Sequence, residues 1–257
     1  MLTVDSRVVQ LGSYTVKQGQ SSVSGLSSGA FMTVQLHLAY SSSFAGAGII
    51  AGGPFRCAES FRAAALLAED AYVQGALYIC MNPLIPQTGP DAGRLAQLAR
   101  DTAAAGEIDD VAHLADDHVY LFTGSADQVV YSDVVARTRR FYELLGVKPE
   151  HIFYDDSVPA GHSIITDNPE DSQLAANQPP YGNRYITTTG YNHIADSNNF
   201  IVVYPQAQGS DGGGTQNPDG CWDWWGYTSP TPNRPDYYSR DAIQVKAIHG
   251  MLERLGG

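Results

Sequence analysis

Runs of β-branched and aromatic residues alternate along this chain with runs that repeat apolar side chains at helical spacing, and no other feature constrains the fold as much. Strand and helix taken in turn give parallel strands joined by crossover helices. The expected architecture is therefore α/β, a mostly parallel sheet with helices on both faces. Phe31, Val34 and Leu38 mark a helix over residues 30–40, and the apolar run after it carries Ile49-Ile50, a buried strand. Residues 63–74 and 92–104 are alanine- and leucine-rich helices between Gly or Pro boundaries. Val119-Tyr120-Leu121-Phe122 is a strand, and the helix over 132–145 that follows it stops at Gly146, a C-cap. Ile152-Phe153-Tyr154 is a further strand, and residues 200–204 (Phe-Ile-Val-Val-Tyr) form the plainest strand pattern in the chain, ended by Pro205. A last helix covers 239–255 with Ile243, Ala247, Met251 and Leu255 on its inner face. Residues 168–184, with Pro169, Pro179 and Pro180, and the glycine-rich stretch 208–220 read as loops. With no internal repeat and no linker, residues 1–257 read as a single domain with no separate substrate-binding domain.

Charge narrows the choice of partner. Fifteen Lys and Arg against 27 Asp and Glu give a formal charge of −12, and the cations form no cluster. A phosphate backbone would meet net repulsion, so a nucleic-acid partner is excluded, and an anionic membrane surface is disfavoured on the same ground. The most apolar run, residues 44–53, is far shorter than the ~20 residues needed to cross a bilayer, so no membrane span is expected. Residues 1–7 show neither the basic start nor the apolar stretch of a signal peptide, which leaves a cytosolic chain and a processed one both open. Cys57, Cys80 and Cys221 permit one disulfide and leave one thiol; the pairing favoured is Cys57 with Cys80, and their spacing fits no zinc pattern.

The sharpest local motif is Gly25-Leu26-Ser27-Ser28-Gly29, a G-x-S-x-G between a short extended stretch and a helix. A strand-to-helix turn this tight needs small residues two before and two after the serine, and it lifts the hydroxyl clear of the sheet at a helix N-terminus. A serine needs a histidine base and an orienting carboxylate, which in this arrangement follow in the order Ser, Asp/Glu, His. Asp127 lies just after the 119–122 strand, and His162 lies in a loop after the 152–154 strand. Asp127 also suits a helix N-cap or a turn. Of the other histidines, His37 and His249 fall inside helices, His118 and His151 precede strands, His113 sits in an acidic stretch and His193 in a polar one. None shares the position of His162 in a post-strand loop, so surface or core roles suit them better.

All three tryptophans fall within residues 220–227, Gly-Cys-Trp-Asp-Trp-Trp-Gly-Tyr. The segment reads either as a core cluster or as a rigid apolar wall for an uncharged substrate. No phosphate-binding loop, dinucleotide fingerprint or histidine-pair metal motif occurs, so no cofactor and no metal are implied.

Together these segments resemble the poly(3-hydroxybutyrate) depolymerases. The stretches carrying the likeness are residues 23–32 around Ser27, 124–127, 160–162, Gly190-Tyr191-Asn192, Ala195-Asp196, residues 202–206, and the tryptophan-rich segment, which is the most specific. The resemblance implies an α/β-hydrolase fold and a serine esterase that cleaves poly(3-hydroxybutyrate) or its oligomers through an acyl-enzyme. The alternatives are a feruloyl- or acetyl-type carboxylesterase on smaller esters and a polymer-binding protein without hydrolysis. Ser27, Asp127 and His162 would be the catalytic residues, the Ser28 N–H an oxyanion donor, and Trp222, Trp224 and Trp225 the substrate contacts. The segments after His162 follow the order of the circularly permuted subgroup, which predicts that the two termini lie close together. The family's His-Gly-Cys strand, source of a second oxyanion donor, is absent between His162 and Tyr191. A monomer, secreted or periplasmic, with a polyester or oligoester substrate, completes the expectation.

Overall fold

The structure is a computed structural model, and it describes residues 11–60, 68–164, 190–210, 217, 219–231 and 234–256. Among these residues four strands form one parallel sheet: β1 (Ser21–Leu26), β2 (Phe44–Ile50), β3 (His118–Phe122) and β4 (Ile152–Asp155), in the order β1-β2-β3-β4. The helices are α1 (Ser28–Ala39), α2 (Ala68–Gly75), α3 (Ala92–Ala104), α4 (Ser132–Leu145), α5 (Tyr191–Asn198) and α6 (Ile243–Gly256). The expected α/β fold with a parallel sheet is what forms. The expected helices over 92–104 and 132–145 form with those boundaries, and Gly146 ends α4 with φ 101°.

Strand order fixes where the core lies. Each successive parallel strand is added on the same side, so right-handed crossovers carry their helices to one face. Ile49 and Leu121 pair in register on that face and are fully buried. Ser24, Gly48, Tyr120 and Phe153 form the neighbouring cross-sheet row on the opposite face, where Tyr120 is 42% and Phe153 60% exposed. Helical cover is therefore uneven, and the open face is touched by Tyr191 of α5, whose hydroxyl hydrogen-bonds the Ser24 hydroxyl at 3.1 Å.

Three expectations change. Residues 200–204 join no ladder: Phe200 and Ile201 stay exposed, and Tyr204 donates its hydroxyl to Asn192 Oδ1 at 2.9 Å. Apolar, β-branched composition permits a strand, but only a paired neighbour makes one. The inner face of α6 is Val245, Ile248 and Leu255, while Ile243 is 65% exposed, because the helix begins at Ile243 and turns that residue away from α1. The helix expected over 63–74 is described from Ala68 onward as α2 and passes into a π-helical turn, Ala76–Met81. The expected loop over 168–184 lies outside the described residues. Residues 11–14 do meet the end of α6: Tyr14 N–H donates to Leu255 O at 2.8 Å and Arg254 to Leu11 O at 3.1 Å.

Candidate active site

Parallel strands deliver their following loops to one edge of the sheet, and three loops there carry the chemistry-bearing residues. The turn after β1 holds Ser27 at φ 57° and ψ −124°, a conformation that costs a non-glycine residue of order 1–3 kcal/mol and persists only where its surroundings enforce it. They do so here. Ser27 N–H donates to Ile50 O at 3.0 Å, its carbonyl accepts from Ala30 and Phe31, and a Cβ on Gly25 would stand 2.3 Å from Gly29. Gly29 is less constrained than the motif suggests, since a Cβ there would meet Trp222 Cδ1 at an ordinary 3.7 Å.

The loops after β3 and β4 are locked together by backbone. Ser125 N–H donates to Val158 O at 2.9 Å and Ala126 N–H to Ala160 O at 3.0 Å, and a Cβ on Gly124 would lie 2.1 Å from Ala160 O. That docking sets Asp127 against His162. Asp127 Oδ2 accepts from His162 Nδ1 at 2.8 Å, while Oδ1 accepts the N–H groups of Val129 and Val130 at 2.8 and 3.0 Å. Asp127 is thus a turn cap and a histidine partner at once. A carboxylate only accepts, so Nδ1 carries the proton and Nε2 presents its lone pair. Nε2 is buried with no hydrogen-bond partner among the described residues, and the Ser27 hydroxyl does not bond it. The structure therefore joins Asp127 to His162 and leaves Ser27, 3% exposed, on the same sheet edge without that last hydrogen bond.

The tryptophan segment leans on the first turn of α1. Cys221 shares a side-chain hydrogen bond with Ser28, and burial pushes its thiol pKa up while that bond opposes the rise. Trp222 borders Gly29. Trp224 corrects the expectation of three substrate contacts: it is 4% exposed and stacks on Phe31 at 3.8 Å between ring centroids, so it is core. Trp222 and Trp225 are only partly buried. Cys57 and Cys80 are joined by a disulfide that ties the loop after β2 to the π-helical turn, and Cys221 is a free thiol.

Sequence reasoning passed over Asp223, Asn217 and Gln244. Asn217 holds both the N–H and the carbonyl of Cys221, and Gln244 of α6 accepts from Asp223 N–H at 2.7 Å and donates to the Tyr227 hydroxyl at 2.9 Å. One signal was available, since Asp223 is the only charge in residues 220–231.

A serine in a strained strand-to-helix turn, with a histidine–carboxylate pair on the same parallel-sheet edge, is an arrangement that the α/β-hydrolase fold provides. No family model matches the chain. Among curated proteins it is 28% identical to the poly(3-hydroxybutyrate) depolymerase of Delftia acidovorans, over 96% of this chain and 62% of that protein. It is 24% identical to the polyhydroxybutyrate depolymerase of Talaromyces funiculosus, over 95% of this chain and 92% of that protein. The crystal structure of PHB depolymerase from Penicillium funiculosum superposes with a TM-score of 0.78 at 23% identity, covering 96% of this chain and 99% of that one. A PHB depolymerase variant complexed with R3HB trimer gives a TM-score of 0.77 at 23% identity, with the same coverage of both chains. Along nearly all its length the chain is thus similar to poly(3-hydroxybutyrate) depolymerases, in sequence and in fold. It spans 62% of the Delftia protein's length, and both alignments, of 330 and 336 positions, exceed its own 257 residues, so each relative has residues without counterpart here.

Proposed function

We propose that this chain is a cofactor-independent serine esterase that hydrolyses poly(3-hydroxybutyrate) or its oligomers. The observation that carries the reading is the buried, unpartnered Nε2 of His162, held by Asp127 on the sheet edge where Ser27 is strained. In the reaction Ser27 Oγ attacks the ester carbonyl as Nε2 takes its proton, and the N–H of Ser28 stabilises the oxyanion at the N-terminus of α1. Collapse breaks the ester bond, and the imidazolium returns the proton to the departing alkoxide. Water, deprotonated by Nε2, then releases the 3-hydroxyacid and restores Ser27. Asp127 fixes the ring and stabilises the imidazolium. Bonds of this kind commonly tighten when substrate binds, so Ser27 and His162 need not be joined beforehand for the reaction to proceed. Trp222 and Trp225 provide the aromatic contact with the uncharged chain.

The substrate class follows the relatives' names and the R3HB trimer in the related structure. A single catalytic domain is supported by one core that runs from α1 and the sheet to Trp224, Val245 and Ile248. Contact of residues 11–14 with the end of α6 supports the permuted segment order. A disulfide supports an oxidising compartment, outside the cytosol. The test is release of 3-hydroxybutyrate from its trimer and from amorphous polymer, beside hydrolysis of short nitrophenyl and feruloyl esters. Product from trimer or polymer supports the reading; turnover of the small esters alone makes the chain a carboxylesterase, and film adsorption without hydrolysis makes it a polymer-binding protein.

A further inference from the structure

The aromatic segment beside Ser27 belongs to no helix or strand, yet it is built around a single buried carboxylate. Asp223, 1% exposed, accepts five hydrogen bonds: Oδ1 from the N–H groups of Trp225, Gly226 and Tyr227 at 3.2, 2.7 and 3.1 Å, and Oδ2 from the N–H and hydroxyl of Thr228 at 2.8 and 2.6 Å. No basic side chain is among these five partners, so backbone N–H groups and one hydroxyl meet the carboxylate. Gly226 takes φ 98° to turn its N–H inward, a conformation that favours glycine. The N–H of Asp223 itself is fixed to Gln244 of α6. On either side stand the two partly exposed rings, Trp222 against Gly29 of α1 and Trp225 against Trp224 at 5.6 Å.

We propose that Asp223 is a positioning residue for substrate, setting the aromatic wall formed by Trp222 and Trp225 at a fixed reach from Ser27. The inference rests on the esterase reading above. A preorganised wall lowers the cost of ordering side chains when an oligoester binds, so its loss weakens binding more than it slows chemistry. A carboxylate is required because both oxygens accept from N–H groups: Asp223→Asn keeps the size but turns an NH2 toward at least one backbone N–H, that of Thr228 or those of residues 225–227, and breaks that bonding. Hydrogen bonds to a buried charge are strong, and an unsatisfied N–H left behind adds to the loss.

The experiment is steady-state kinetics of the full chain on 3-hydroxybutyrate trimer and on nitrophenyl butyrate, for wild type, Asp223→Asn, Thr228→Val and Gln244→Leu, with near-UV circular dichroism as the check of folding. Asp223→Asn is expected to raise KM for trimer about tenfold while kcat stays within about threefold, and Thr228→Val and Gln244→Leu are expected to raise KM by smaller factors. An unchanged KM in folded Asp223→Asn overturns the proposal. So does a fall in kcat without a rise in KM, which would mean that Asp223 acts on the reacting groups or on the fold as a whole. If Asp223→Asn does not fold, an unchanged KM in both Thr228→Val and Gln244→Leu overturns it. Wild type that cleaves nitrophenyl butyrate but not trimer sinks the polyester reading alone, and KM for nitrophenyl butyrate then decides on Asp223 by the same rule.

Discussion

Among the described residues two histidine–aspartate pairs stand out, and they differ in one hydrogen bond. His37, fully buried on α1, uses both ring nitrogens: Nδ1 meets the Tyr142 hydroxyl at 3.0 Å and Nε2 meets Asp117 at 3.1 Å. His162 uses one, Nδ1 to Asp127, and leaves Nε2 buried without a partner. The same two residue types thus make a closed strut in one place and an open base in the other. Position in the chain accounts for the difference. A histidine in mid-helix is surrounded by core and finds partners on two sides, Tyr142 from α4 and Asp117 ahead of β3, and burial beside Asp117 pushes the Tyr142 phenol pKa up. A histidine in a post-strand loop is gripped from one side only, so its second nitrogen is left open for the chemistry proposed at the sheet edge.

Substitution separates the two pairs most sharply. His162→Ala should lower turnover by ~10⁴-fold or more and cost less stability than loss of His37, because Asp127 keeps the N–H groups of Val129 and Val130 when the loop side chain is removed. His37→Ala should do the reverse, costing about 3–5 kcal/mol by stranding Asp117 and Tyr142, while the folded fraction keeps its activity. Denaturant unfolding and initial rates on the same preparations check both halves. Equal stability losses in the two variants, or loss of turnover in folded His37→Ala, would erase the distinction.

A second contrast of the same kind lies within the tryptophan segment. Trp224, stacked on Phe31, belongs to the core, whereas Trp222 is partly exposed beside Gly29. Trp224→Ala should cost about 3–5 kcal/mol, and Trp222→Ala less than half of that. The smaller stability effect should come with the larger effect on KM for trimer, so thermal midpoints and KM should rank the two variants in opposite order.

Legibility in the sequence followed the same line between backbone order and side-chain partnership. Ser27, Asp127 and His162 stood out because each follows a strand, and β-sheet geometry sends all such loops to one edge. The Asp127–Val129 cap and the role beside His162 appeared as rival readings, and the two oxygens of one carboxylate satisfy both. Residues 200–204 were misread because strand composition does not reveal whether an edge is available to pair. The inner face of α6 was misread because Ile243, Ala247, Met251 and Leu255 are as well spaced as Val245, Ile248 and Leu255, and only the helix's seat on α1 chooses between them. Asp223 was passed over because its partners are backbone N–H groups, which leave no trace in residue identity beyond a lone charge among aromatic neighbours.

The central claim is that Ser27 is an activated nucleophile served by the open nitrogen of His162. Intact mass after incubation with a serine-directed organophosphonate, followed by peptide mapping, tests it most directly. One phosphonyl group per chain on Ser27, absent from Ser27→Ala and strongly slowed in His162→Ala, is the predicted result. Folded wild-type protein that takes up no label, or carries it on another residue, would contradict the account.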